Sequence, residues 1–331
     1  MLKDTSNTPA PSLGGSGQAA PPRGPAVGAP LPRRAAASRL SGDLGMLTVC
    51  LIWGMNFSIT KLALAAIPPL PFTAVRFVIA SVLLWIVVRL LEGPGALPPG
   101  ATRTLILLGI LGNTCYQLAF TVGLNHTSAT NSALILSMLP TVVAVLAGLL
   151  RLERVTPRMR WGIAIGTVGV IIVIATRGVG FHSSTLLGDL MTLGAVFCWA
   201  GYTIGLRRVP PGISSLRVTT ATTIAGTPGL VLAGIPGALR LNWAEVPRVA
   251  WAGLGYAAVF SLVLAYLLWN RSVKAVGGTR TAIYMCVTPL VAVAGAWLLL
   301  GERPHPLQGV GAVLIVAGVL LTRSVAGENK A

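Results

Sequence analysis

Acidic side chains are scarce: eight Asp and Glu stand against 25 Lys and Arg in 331 residues, and charged residues of both signs make up only 10%. A soluble domain of this size carries about 25% charge. Too little polar surface remains to face water, so lipid must cover much of the chain. None of the carboxylates falls in the middle of an apolar run. Asp4, Asp43, Glu92, Asp189, Glu245 and Glu328 belong to tails, loops or helix starts, and Glu153 and Glu302 to the ends of apolar segments. A carrier that exchanges protons for cations through a membrane carboxylate needs one at depth, which disfavours that mechanism. The four cysteines, Cys50, Cys115, Cys198 and Cys286, sit inside apolar runs without metal-type spacing. They read as small buried hydrophobes, and neither a metal site nor a disulfide framework is expected. There is no HExxH, no pair of catalytic carboxylates and no Walker loop. An enzyme is therefore not expected, and no cofactor is implied.

What the chain has is apolar residues: 54% are hydrophobic and the mean hydropathy is +0.78. The net charge of +17 would suggest nucleic acid if it formed one patch. The basic residues lie instead in short runs between apolar stretches, as the orienting charges of membrane loops do, so no nucleic-acid partner is expected. Residues 1–42 are rich in Pro, Gly, Ala and Ser, with several arginines and no sustained apolar run. They read as a disordered basic tail rather than a signal peptide, and their prolines argue against an amphipathic presequence.

From Leu44 onward apolar segments of about 20 residues recur, the length a helix needs to cross the hydrocarbon core. Spans are expected near 44–66, 71–91, 104–123, 129–150, 159–176, 187–206, 217–236, 250–269, 278–300 and 306–322. A β-barrel would alternate over shorter strands; these runs are continuous. The expected fold is an all-α integral membrane bundle of ten transmembrane helices. Lys and Arg orient it. Both tails and the loops holding Arg89 and Arg103, Arg151 to Arg160, Arg207 to Arg217, and Arg271 to Arg280 fall on one side. The opposite side has only Arg177, Arg240, Arg248 and Arg303. Both termini are expected in the cytoplasm, across a cytoplasmic (inner) membrane, and the lipid bilayer is the chain's solvent.

The sequence also repeats itself. At an offset of 149, Pro140, Val142, Ala147, Leu149, Leu150, Glu153, Arg154, Pro157, Gly162 and Gly169 match Pro289, Val291, Ala296, Leu298, Leu299, Glu302, Arg303, Pro306, Gly311 and Gly318. Trp53 matches Trp199, and Lys61 matches Arg207, at an offset of 146. A double proline then a basic residue occurs in both halves: Pro68-Pro69 to Arg76, and Pro210-Pro211 to Arg217. With five spans per unit, the second copy must enter the membrane inverted, the recurring plan of secondary transporters with a site near the midplane.

These residues resemble a known family. Trp53-Gly54-Met55-Asn56-Phe57 with Lys61, Pro68-Pro69 and Arg76 is similar to the first two helices of EamA-type drug/metabolite transporters. Pro140 with Leu152-Glu153-Arg154 and Pro157, and Pro289 with Gly301-Glu302-Arg303 and Pro306, resemble the same family, as does Gly188-Asp189 to Trp199-Ala200-Gly201-Tyr202. The family more often has Gly-Glu where this chain has Leu152-Glu153. The resemblance covers residues 44–323 and implies two inverted EamA repeats, 44–176 and 187–322, around a central cavity, with a C-terminal tail at 323–331. It also implies export of amino acids or related small metabolites. Carriers of drugs or other organic solutes share that fold, and a non-transporting membrane sensor is the rival of another class.

Several side chains stand out at membrane depth. Asn113, Tyr116, Gln117 and Phe120 fall at i, i+3, i+4 and i+7, one helical face, and two amides facing lipid would be costly. Trp53, Asn56, Ser137, Trp199, Tyr202, Tyr284 and Thr288 complete a candidate substrate pocket of aromatic and neutral hydrogen-bonding groups; interhelical hydrogen bonding is the competing role for each. Pro140 and Pro289 interrupt their helices and free the carbonyls of Leu136 and Met285, either as hinges lining the site or as packing kinks. Lys61 and Arg76 lie within spans, either snorkelling or pairing at helix ends, or attracting or gating an anionic group such as a carboxylate. Glu153 and Glu302, each beside an arginine, read as ion pairs. Gly162, Gly166 and Gly169, and Gly309, Gly311, Ala312 and Gly318, form small-residue faces that suit packing within the chain or a dimer; the oligomeric state stays open.

Overall fold

The computed structural model describes residues 33–152, 156–175, 184–276, 284, 285 and 287–323, and these form helices and the turns between them, with no strand among the described residues. Eight helices are long and apolar enough to cross a membrane: α1 (Ser41–Leu64), α2 (Pro69–Glu92), α3 (Ala101–His126), α4 (Ala129–Leu149), α5 (Pro157–Ala175), α6 (Thr185–Arg208), α7 (Ser215–Arg240) and α8 (Arg248–Ser272). Two shorter apolar helices follow, α9 (Val287–Leu300) and α10 (Pro306–Leu321). They occupy the expected ninth and tenth places, and the start of the expected ninth span lies outside the described residues. Helix extends upstream of the first span to Arg33. Residues 33–42, expected in the tail, are therefore helical; Ala35-Ala36-Ala37 favours helix strongly and no proline interrupts it. Glu153 and Arg154 also lie outside the described residues.

Local chemistry sets the helix ends. Ser128 caps α4, its hydroxyl accepting from the Asn131 N–H at 3.0 Å, and Ser214 caps α7 by accepting from the Arg217 N–H at 3.0 Å; each satisfies a donor that a helix start leaves unpaired. Pro69, Pro157 and Pro306 stand at the first positions of α2, α5 and α10, where the missing N–H costs nothing. Irregularities recur in both halves. α3 widens to a π-helix over Ile110–Cys115, and α8 does so over Tyr256–Leu264. α4 breaks after Leu136 and resumes at Leu139, one residue before Pro140, and α9 starts at Val287, two residues before Pro289.

The halves interlock rather than stack. α1 packs on α8 and α9, α6 packs on α3 and α4, α2 packs on α7, and α5 packs on α10. Exchanging each helix with its counterpart five places along maps this pattern onto itself. The α2–α7 and α5–α10 pairs run antiparallel. A Cβ added at Gly234 or Gly237 of α7 would meet Ala74 or Pro71 of α2, while Ser81 of α2 bonds Thr227 of α7. On the α5–α10 seam, Gly318 abuts Gly162 and Gly166, and Gly311 abuts Gly169. The small-residue faces thus close on each other inside the chain. Gly309 is the exception, with nothing within 4 Å of its added Cβ.

Large apolar side chains such as Leu149, Trp161, Leu239 and Leu298 point outward, while Asn56, Asn113, Gln117, Asn131 and Asp189 are buried. That inversion is what lipid demands. Cys50 is buried and Cys198 partly so, but Cys115 is exposed among outward-facing residues, correcting the expectation that it is buried.

Candidate functional site

A cavity of about 990 Å³ lies where the two halves meet. α1 contributes Trp53, Asn56 and Phe57; α3 contributes Tyr116, Gln117 and Phe120; α6 contributes Trp199 and Tyr202. Arg76 enters from α2, Ser137 and Pro140 from the break in α4, and Thr288 and Pro289 from the start of α9. The cavity lining continues past Leu206 to Val209, Pro210 and Pro211 between α6 and α7, and Pro211 is exposed. The cavity thus reaches the end of the bundle that carries most of the Lys and Arg.

Aromatic rings form its walls. Tyr202, Trp199, Tyr116 and Phe120 make a continuous chain, with centroid separations of 4.9, 4.8 and 5.8 Å, and Phe57 meets Phe120 edge-on at 5.6 Å. Across the cavity Trp53 contacts Tyr266 at 5.7 Å and Trp269 at 5.5 Å. The Trp53 indole donates to the Ser261 carbonyl at 3.0 Å. That carbonyl lies in the π-helical stretch of α8, a place where irregular backbone can offer an acceptor. The Trp53–Tyr266 pair of α1 and α8 mirrors the Trp199–Tyr116 pair of α6 and α3. Tyr266, Trp269 and Asn270 were not singled out from the sequence. The signal was present: Tyr116 repeats as Tyr266 at an offset of 150, one residue off the matched register.

Three expected residues lie elsewhere. Asn113 is buried against Gly226 of α7 and does not line the cavity. The i, i+3, i+4, i+7 stripe assumes 100° per residue, and the wider turns of Ile110–Cys115 rotate Asn113 away from Tyr116, Gln117 and Phe120. Tyr284 is absent from the lining, and its carbonyl accepts from the Cys50 thiol at 3.1 Å. The Lys61 ammonium donates to the Leu124 carbonyl at 3.1 Å, in the last turn of α3, where a cation offsets the helix dipole; it pairs at a helix end, away from the cavity.

Arg76 does not snorkel. It is 2% exposed, and its guanidinium sits 5.5 Å from each of the Phe72 and Phe77 rings. Its Nη2 donates to the Gln117 Oε1. The expected neutral pocket therefore holds one cation, and no Asp or Glu lines it among the described residues. The expected free carbonyl of Met285 is also taken, accepting from the Thr288 N–H at 3.3 Å.

The end away from the basic loops is closed by a polar knot. Asp189 accepts from the Thr127 hydroxyl and, at 3.1 and 3.3 Å, from the Asn131 amide, whose oxygen accepts from Gln308 at 2.6 Å. Glu302 caps α4, accepting from the Ala129 N–H at 3.0 Å, the Thr130 N–H at 3.1 Å and the Thr130 hydroxyl at 2.8 Å. This replaces the expected ion pair: a helix N-terminus draws a carboxylate as a cation would. At the basic end Arg217 pairs with Glu92 at 2.9 Å and donates to the carbonyls of Glu92 and Gly93.

The model of the EamA-like transporter family matches the chain twice, over residues 40–175 and 186–324. An uncharacterized transporter of Bacillus subtilis is 28% identical over 284 residues, covering 85% of this chain and 92% of the relative. A probable amino-acid metabolite efflux pump of Escherichia coli is 28% identical over 296 residues, covering 86% and 95%. An S-adenosylmethionine/S-adenosylhomocysteine transporter of Chlamydia trachomatis is 26% identical over 275 residues, covering 80% and 84%. A solved crystal structure shares the fold, with a TM-score of 0.59 at 18% identity, covering 89% of this chain and 99% of its own.

Proposed function

The chain belongs to the EamA-like transporter family, and on that premise we propose that it is a secondary transporter exporting amino acids or related small metabolites by alternating access. Ten helices cross the cytoplasmic membrane, with α9 and α10 completing the second of two inverted repeats and both termini in the cytoplasm. The observation that carries this reading is the 990 Å³ cavity at the meeting of the halves. It is walled by rings and amides from both, the make-up of a small-molecule site. Trp53, Asn56, Tyr116, Gln117, Ser137, Trp199, Tyr202 and Thr288 contact the solute, and the breaks at Pro140 and Pro289 act as hinges. The cavity reaches the basic end while the knot around Asp189 and Glu302 closes the other, an arrangement open to the cytoplasm. Rocking one half against the other breaks the knot and closes the basic end.

The name of the Escherichia coli relative favours amino-acid metabolites as solutes. That of the Chlamydia relative favours a second reading, a larger nucleoside-bearing solute, for which competition binding against amino acids discriminates. Proteoliposomes containing the purified chain, loaded with a labelled amino-acid panel with and without a pH gradient, test the proposal. Saturable flux for at least one member is expected; its absence for every member overturns the reading.

A further inference from the structure

We infer that the cavity recognises its solute by a carboxylate held at Arg76 and Gln117, so that organic monocarboxylates with an apolar or aromatic body are bound whether or not they carry an ammonium group. This deepens the transport reading and rests on it for the identity of the cavity as the solute's site. Arg76 is fully buried yet incompletely paired. One N–H of Nη2 goes to the Gln117 oxygen, whereas the Nε and Nη1 atoms, bearing three of the five guanidinium donors, have no hydrogen-bond partner. Buried donors of a charged group almost always find acceptors, and the Arg76 side chain lines the cavity. No carboxylate among the described residues lines that space.

Three acidic groups near the two ends are engaged elsewhere: Glu92 with Arg217, Asp189 with Thr127 and Asn131, and Glu302 with the start of α4. No carboxylate among the described lining residues serves Arg76 as counterion, and the solute supplies it. The Gln117 oxygen holds one corner of the guanidinium, and the Phe72 and Phe77 rings flank it. Nη2 keeps a second N–H, and that N–H beside the one on Nε or Nη1 makes a parallel pair, the fork that matches a carboxylate in bidentate fashion. Thr288, elsewhere in the lining, adds a buried hydroxyl without a partner. A single cation balances a monoanion, and the rings around it suit an apolar body. An ammonium finds no carboxylate there, so it contributes little to recognition.

Binding to the purified full chain in detergent, followed by calorimetry, tests this with 3-phenylpropanoate, phenylalanine, phenethylamine and phenyl phosphate. The two carboxylates are expected to bind within a few-fold of each other, and phenethylamine and phenyl phosphate at least about tenfold more weakly. Arg76→Gln is expected to weaken both carboxylates about 10- to 100-fold, the scale of one charge-assisted hydrogen-bonding contact. Arg76→Lys, which keeps the charge and loses the fork, should fall between and decides the matter if Arg76→Gln does not fold. Equal binding by Arg76→Gln or Arg76→Lys and the parent, preference for the amine or the phosphate, or no binding by either carboxylate overturns the inference. Saturable amino-acid flux that persists unchanged in Arg76→Gln vesicles also sinks it while leaving the transport reading intact. Arg76-dependent binding without any flux does the reverse.

Discussion

Gly318 and Gly309 lie on the same helix, α10, and the structure assigns them opposite responses to alanine. At Gly318 the added methyl would stand 2.6 Å from the Gly162 carbonyl oxygen, 2.6 Å from the Gly166 nitrogen and 2.8 Å from the Gly166 Cα. All three are backbone atoms, so no flexible side chain can swing aside. Restoring contacts of about 3.5 Å requires the α5–α10 seam to open by roughly an ångström, and overpacking of this kind costs about 1–3 kcal/mol. At Gly309 the same methyl meets nothing within 4 Å. Both substitutions share the helix-propensity gain, about 0.5–1 kcal/mol, so their difference isolates the packing contribution. Thermal unfolding in detergent, followed by intrinsic tryptophan emission, should place Gly318→Ala below Gly309→Ala by a few degrees, given about 2–4 °C per kcal/mol for chains of 150–250 residues and less for longer ones. Gly309→Ala should melt at or slightly above the parent. Coincident melting of the two variants would show that α5 and α10 do not meet as described. The antiparallel pairing of the two halves would then lose its tightest support.

Other contacts make separate predictions. Glu302→Gln keeps a hydrogen-bonding oxygen but removes the charge at the start of α4, so a loss of about 1 kcal/mol is expected in chemical unfolding, with no change if the knot is a surface accident. Lys61→Met should lower stability by no more than about 1 kcal/mol and leave the KM for any transported solute unchanged; a raised KM would return Lys61 to the solute's path. Arg217→Ala breaks a partly exposed ion pair, so the expected cost is about 1 kcal/mol or less, shrinking further in high salt. Trp199→Ala removes a ring that contacts both Tyr116 and Tyr202 and should reduce solute affinity by at least about tenfold; unchanged transport kinetics would move the binding site elsewhere.

The long apolar runs made the membrane helices legible, because crossing lipid imposes a length and a composition together. The repeat was legible through residues with few substitutes, Pro140 with Pro289 and Gly169 with Gly318, whose roles depend on backbone geometry. Two misses have separate causes. Asn113 was placed by an α-helical count that the π-helical turns of α3 do not keep, and Tyr266 escaped because it falls one residue off the register that the other matches keep. Charged residues misled for another reason. Arg76 stands seven residues into α2, roughly 10 Å from its start, within reach of snorkelling; only the packing of Phe72, Phe77 and Gln117 around it decides that it turns inward. Glu302 sits beside Arg303 in sequence, but its true partners are the N–H groups of α4, more than 170 residues away.

The match between Arg76 and Arg217 shows where the symmetry of the halves ends. Both follow a double proline, yet α2 begins at Pro69 whereas α7 begins at Ser215. Arg217 therefore falls in the first turn of its helix, where Glu92 and two carbonyls hold it at the basic end. Arg76 falls two turns deep, against the cavity. The mirrored Trp53–Tyr266 and Trp199–Tyr116 pairs alone would wall a hollow with no preferred pole, in which an elongated solute lies equally well either way round. One cation on one half, with no carboxylate beside it among the described residues of the lining, removes that degeneracy. If the solute binds there as proposed, the cation sets which end faces α2, and the solute's charged end stays with the first unit when the halves move apart.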